Sequence, residues 1–215
     1  MRTQEERRRA NLASQLHLSR NDPRLKPLIR MHGHCTLGVK RRDPFHVLAT
    51  SIVSQQLSVK AADTIQGRIE ALAGTRGRLR PQDLLGLSAE SLRGAGLSNA
   101  KARWLHAISE AVESGEFSFA RLRALDDEAA IEALDALPGI GRWTAEMFLM
   151  FALNRRDIFS MGDVGLRRGV NLLYNKGAKL GDDATLEITG RWSPHRSVAS
   201  WYLWRIVDGD ALTWV

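Results

Sequence analysis

Leu137-Pro138-Gly139-Ile140-Gly141-Arg142-Trp143-Thr144-Ala145-Glu146-Met147-Phe148 is the stretch on which the fold turns. On one side of it, Asp126 to Ala136 reads as a helix, and on the other Trp143 to Leu153 reads as a second. Pro138 stops the first helix, while Gly139 and Gly141 open backbone geometry closed to other residues. Ile140 is suited to plug apolar space between the two helices. The backbone N–H groups near Gly139, Gly141 and the following helix N-terminus are then unpaired and point outward. With the helix dipole behind them they offer a seat for a phosphate oxygen. A plain αα-hairpin with a glycine turn carries the same pattern, so the glycines alone leave both readings open.

Outward from this turn, nearly every segment has helical periodicity. In Ser98–Gly115 the apolar residues Ala100, Trp104, Ala107, Ile108 and Ala111 form the stripe of an amphipathic helix, with Ser98 placed to cap it and Gly115 to end it. Similar patterns predict helices over 45–56, 58–73, 126–136, 142–153, 163–175 and 195–207. The breaks fall at Gly/Pro/Ser/Asp clusters, and no period-2 strand, internal repeat or low-complexity linker separates them. The expected fold class is all-α with short connections.

A chain of 215 residues can bury a good core as one domain or as two small lobes. Hydrophobic residues make up 44% and charged residues 26%, ordinary values that give no sign of disorder. The formal net charge of +7 favours a polyanionic partner such as nucleic acid without requiring one. Cys35 is the sole cysteine, which excludes an internal disulfide and the four thiolates of an iron–sulfur cluster. The six histidines lack zinc-like spacing, and no apolar run approaches the roughly 20 residues that span a bilayer. The start has no apolar stretch of signal-peptide type. A cytosolic or nucleoid-associated protein, free of membrane and monomeric, is the expectation.

The full string Leu-Pro-Gly-Ile-Gly-Arg-Trp-Thr-Ala resembles the DNA-binding hairpin of the helix-hairpin-helix DNA glycosylase superfamily. In that superfamily the hairpin is followed, some twenty residues on, by a glycine/proline-rich loop and an aspartate. Phe159-Ser160-Met161-Gly162-Asp163-Val164-Gly165-Leu166 meets that demand. Ile52-Val53-Ser54-Gln55-Gln56-Leu57-Ser58 resembles the family's early Gln-Gln helix end, and Gly96-Leu97-Ser98-Asn99-Ala100-Lys101-Ala102 its mid-chain segment. Trp192-Ser193-Pro194-His195-Arg196-Ser197 is similar to the C-terminal Trp-x-Pro-Trp-Arg-Ser of the bacterial 3-methyladenine DNA glycosylase II group. The matches are collinear over about residues 45 to 207. They imply a short form, without the N-terminal sheet domain of longer relatives. They further imply two helical lobes, 44–155 and 1–43 with 156–215, and an active-site cleft between them.

The resemblance makes Asp163 the essential carboxylate of an enzyme that excises bases from DNA. Without it, Asp163 reads as an N-cap or first-turn acid, and the dipole of its helix favours a negative charge there. Glycoside hydrolysis ordinarily takes two carboxylates, one protonating the leaving group. One suffices for an N3- or N7-alkylated purine, which is already cationic and departs as a neutral molecule. The substrate expected is therefore duplex DNA with alkylated bases, and no cofactor is required.

Trp143 stands where relatives with lyase activity carry a nucleophilic lysine, so no Schiff base can form from that position. Its indole is also placed to stack on a cationic base. Trp204 falls where the alkylbase group has a pocket tryptophan, and Trp201 reads as a core aromatic. Gln56 occupies the position of the side chain that fills the gap left by an extruded base, although a glutamine bonding a helix end fits as well. Gly139, Gly141, Lys101, Arg142, Thr144 and Arg196 are candidate DNA contacts, with solvated surface as the alternative for the basic residues. His195 replaces the family's tryptophan. By the same resemblance, the backbone carbonyls of Asp135, Leu137 and Ile140 are candidate ligands of a monovalent cation, Na+ or K+. Two other readings stay open: a glycosylase for oxidised, mismatched or deaminated bases, and a non-catalytic DNA-binding module.

Overall fold

The computed structural model describes residues 3–208, and among them it contains helices and no strand. In chain order these are α1 (Gln4–Asn21), α2 (Leu25–His32), α3 (Pro44–Ser54), α4 (Val59–Leu72), α5 (Pro81–Leu85), α6 (Ala89–Gly94) and α7 (Asn99–Glu113). They continue with α8 (Phe119–Ala124), α9 (Asp127–Asp135), α10 (Arg142–Phe151), α11 (Val164–Asn175), α12 (Asp182–Gly190) and α13 (Arg196–Asp208). The expected all-α class is what the structure has.

Local chemistry sets the boundaries. Ser58, Ser98 and Asp126 each accept a backbone N–H three residues on, satisfying one of the orphan donors at the heads of α4, α7 and α9. Gly115, at φ +78°, turns the chain away just beyond α7. The periodicity over 45–56 runs two residues too far, because α3 stops at Ser54 and Gln56 takes a left-handed conformation at φ +58°. The short helices α5, α6 and α8, of five or six residues, have too few turns to show a period of their own, and α1, α2 and α12 lie outside the segments whose periodicity predicts a helix.

The chain divides into two compact units, Arg42–Phe148 and Met1–Arg41 with Leu149–Val215. In the first, α7 packs on α3, α5 and α6. Leu48, Ile52, Ile69, Leu84, Leu105 and Phe148 are fully or almost fully buried there. In the second, α13 lies against α1, α2 and α11, around Leu18, Leu37, Val170, Trp201 and Tyr202. α11 and α13 approach closely at Gly169, where a Cβ would come within 3.0 Å of Leu203 Cβ. The α1–α2 junction is tied into the same unit by buried Asp22. Its carboxylate accepts the Trp192 indole N–H at 2.8 Å, the Tyr174 hydroxyl and, at 3.0 Å, the Arg24 backbone N–H.

Candidate active site and DNA-binding turns

The hairpin links α9 to α10 within the first unit. Ile140 is buried, and its N–H donates to the Leu137 carbonyl at 3.2 Å to close the turn. Gly139 has φ +80°, and the Trp104 ring presses so close that a Cβ there would come within 2.3 Å of it. Gly141 is different: its φ is not positive, and a Cβ would meet only Asp135 Oδ1 at 4.0 Å. Of the two glycines expected to need unusual backbone geometry, Gly139 alone does; Gly141 keeps the surface of the turn bare.

A second turn sits beside the hairpin. Gln55 Nε2 donates to the Gly139 carbonyl at 2.8 Å, and exposed Gln56 follows in its left-handed conformation. Lys101 is half-buried, and its ammonium donates to the carbonyls of Val53 at 2.9 Å and Gln55 at 2.6 Å. Burial lowers its pKa. Lys101 thus caps the end of α3 rather than standing out as a solvated cation.

At the head of α10, Arg142 is bound bidentately by Glu128 at 2.5 and 2.9 Å and also donates to Glu146 at 3.1 Å. The Glu128 bond pushes the pKa of Arg142 further up. Thr144 is buried, and Trp143 is 41% exposed on the first turn of the helix. Trp143 is thus the large aromatic that the hairpin presents to solvent, and Arg142 is held by its own acids.

The carboxylate of interest lies in the second unit. Asp163 is the N-cap of α11, with Oδ1 accepting the Leu166 backbone N–H at 2.7 Å and the Trp204 indole N–H at 3.2 Å. Both side chains belong to residues only 7% exposed. Gly165 makes room for this pairing, since a Cβ there would come within 3.1 Å of Asp163 Oδ1 and 3.3 Å of Trp204 Cδ1. The Trp204 indole stacks on Phe151, with centroids 5.7 Å apart at 28°. Trp201 is buried under Arg205, whose guanidinium carbon lies 4.4 Å from its ring centre. The result is an acid sunk to its tip at a helix head, with an aromatic donor aimed at one oxygen.

The two C-terminal candidates have structural partners. Arg196 forms a bidentate ion pair with Asp157, at 2.9 and 3.1 Å, which anchors the head of α13. His195 Nδ1 lies 3.0 Å from Ser14 Oγ, and its ring meets His17 edge-on at 4.7 Å.

Residues 49–194 match the family described as HhH-GPD superfamily base excision DNA repair protein. The chain belongs to that family. Among solved structures, the DNA-3-methyladenine glycosidase of Bacillus halodurans is 41% identical, with a TM-score of 0.80 over 89% of this chain and 87% of that one. The Schizosaccharomyces pombe 3-methyladenine DNA glycosylase in complex with abasic DNA is 31% identical, with a TM-score of 0.73 over 90% and 95%. The DNA-3-methyladenine glycosylase 1 of Schizosaccharomyces pombe is 31% identical over 195 residues, 89% of this chain and 86% of the relative.

The structure of this HhH-GPD superfamily member also brings to the candidate residues neighbours that the sequence does not point to. Trp104 belongs to the apolar stripe of α7, and nothing in that stripe says that its ring meets Gly139. Gln55 stands in the sequence only as one residue of a motif, with no sign of its bond to Gly139. Gly165 and Gly169 are four apart and therefore share one face of α11, the face that meets Trp204 and Leu203 of α13.

Proposed function

We propose that the protein is a monofunctional DNA glycosylase that hydrolyses the N-glycosidic bond of alkylated, cationic purines in duplex DNA, with Asp163 as its catalytic carboxylate. The observation that carries this is the buried Asp163 carboxylate at the head of α11, oriented through one oxygen by Leu166 N–H and Trp204 Nε1. A carboxylate held in this way in a water-poor site is preorganised to stabilise an oxocarbenium-like sugar, or to orient the water that attacks C1′. The names of the relatives supply the substrate class, 3-methyladenine in DNA, and the abasic DNA bound to one of them is the product such a reaction leaves.

An N-methylated purine leaves as a neutral base, so the reaction needs no proton donor on the leaving group and no cofactor. The enzyme must extract the nucleotide, hold it and meet the charge on the sugar. The bare turn at Gly139–Gly141 and the N-terminus of α10 are suited to a phosphate. Gln56, exposed on its left-handed turn, is suited to fill the space of the extruded base. Trp143 offers an indole face to a cationic base and no amine for lyase chemistry. The backbone carbonyls of Asp135 at the end of α9 and of Leu137 and Ile140 in the turn beyond it are hard oxygen donors; they would hold a monovalent cation, which would supply positive charge to a phosphate.

The test is a release assay on N-methylated duplex DNA with 8-oxoguanine duplex alongside. The expected result is free 3-methyladenine or 7-methylguanine, with a strand that breaks only after alkali. Release confined to 8-oxoguanine, strand nicking without alkali, or no release from either duplex would overturn the assignment.

A further inference from the structure

The left-handed Gln56 turn and the hairpin are two separate pieces of chain, and helix α7 reaches both. Lys101 sits on its first turn and Trp104 one turn on, hence on neighbouring positions of one face. The Lys101 ammonium has three protons, and two are directed at the Val53 and Gln55 carbonyls, which α3 leaves unpaired as it ends. The side chain of the same Gln55 donates to the Gly139 carbonyl, and the Trp104 ring packs against the Cα of Gly139. A non-glycine residue held at positive φ persists only where its surroundings over-determine it. The bonds from Lys101 fall immediately before Gln56 and supply that constraint.

We propose that Lys101 is a positioning residue which, through Gln55, locks the turn bearing Gln56 to the Gly139 hairpin, so that Lys101 controls base extrusion rather than DNA affinity. This rests on the glycosylase reading. It reverses the expectation that Lys101 is a phosphate contact. A lysine engaged with two main-chain carbonyls at 2.6 and 2.9 Å has little to give a phosphate. What it governs is the height and angle at which Gln56 meets the stacked bases, at the moment when the gap in the duplex must be filled.

The experiment compares wild type with Lys101→Met, which keeps the apolar stem and removes the donors. Single-turnover release is measured from a duplex in which 7-methylguanine is paired with cytosine, and from one in which it faces an abasic site. An unpaired lesion needs less help to leave the stack. Release by the variant should therefore slow by about tenfold on the paired lesion and by no more than about threefold on the unpaired one. Affinity for undamaged duplex, and its salt slope, should match the wild type.

An equal loss on both lesions would overturn the proposal, as would a salt slope reduced by about one, the mark of a lost phosphate contact. Should Lys101→Met lose its helical circular dichroism, Gln55→Leu carries the same test, since it removes one bond to Gly139 and leaves Lys101 in place. Absence of release by the wild type itself is a different result. It would remove the glycosylase reading, and this inference with it.

Discussion

Trp204 and Asp163 meet through a single oxygen: the indole N–H points at Oδ1 from 3.2 Å, while the Leu166 backbone N–H takes the same atom at 2.7 Å. The aromatic therefore contributes orientation as well as packing. Trp204→Phe retains a ring to stack on Phe151 and removes the donor. A hydrogen bond to a charged group contributes about 1.5–3 kcal/mol, so release of a methylated base should slow by about tenfold or more. Helical content should stay as it is. A rate equal to the wild type would show that the indole does no more than fill space.

The two hairpin glycines should separate in mutagenesis. Gly139→Ala forces a Cβ into the Trp104 ring at positive φ, so it should lower the melting temperature and DNA affinity together. Gly141→Ala meets nothing closer than 4.0 Å, so it should melt as the wild type does. It should still weaken binding to every duplex alike, because a methyl group would stand on the surface proposed to receive a phosphate. Thermal melts with binding titrations on damaged and undamaged DNA check both. Unchanged affinity in Gly141→Ala would remove that side of the turn from the interface.

Much of this architecture was legible in the sequence because it rests on local chemistry. Helix periodicity, serine and aspartate caps and the Pro138-Gly139 break each need only neighbours in the chain. Asp163 was legible as the cap of α11, while its catalytic role comes from the resemblance, which asks for an aspartate some twenty residues beyond the hairpin. What stayed hidden was long-range: the bonds from Lys101 to carbonyls 46 and 48 residues away, and the approach of Trp104 to Gly139. No pattern of residue types distinguishes a lysine that caps a distant helix from one that meets DNA. For the same reason the sequence leaves Arg142 between a candidate DNA contact and solvated surface, and does not show the ion pair with Glu128 that the structure has.

Stability should fall on mild acidification, through the histidines. Burial lowers the pKa of His46, whose Nδ1 accepts the Leu79 N–H at 3.1 Å, and burial followed by neighbouring His17 and Arg156 lowers that of His195. Both groups bind protons less readily folded than unfolded. Their contribution is intact above the ordinary histidine range near 6.5 and is lost as pH drops through and below it. Asp83 and Glu128, held low by hydrogen bonds from Arg80 and Arg142, titrate beneath that window. The melting temperature should therefore decline from pH 7 to pH 5, and His46→Asn, which keeps an acceptor without a titration, should flatten the slope. An unaltered slope in His46→Asn would exclude His46 as a source.

Asp22 holds together three parts of the second unit. Asp22→Ala leaves the buried Trp192 N–H without its acceptor, together with the Tyr174 hydroxyl, whose pKa is pushed up by burial and by Asp22. Each orphaned donor costs about 1–3 kcal/mol, and in a chain of this size each kcal/mol lowers the melting temperature by about 2–4 °C. Asp22→Asn, keeping one acceptor oxygen, should lose less. Calorimetry on both variants checks the order, and equal melting of Asp22→Ala and wild type would contradict it.

Asp163→Asn is the variant on which the account stands or falls. Asparagine keeps the Oδ1 acceptor for Leu166 N–H, so α11 stays capped and the fold intact, while the charge disappears. Single-turnover release of 3-methyladenine should fall by about a hundredfold or more, with affinity for abasic duplex equal to or above the wild type. Release within about threefold of the wild type, in a variant with native circular dichroism, would contradict a catalytic role for this carboxylate.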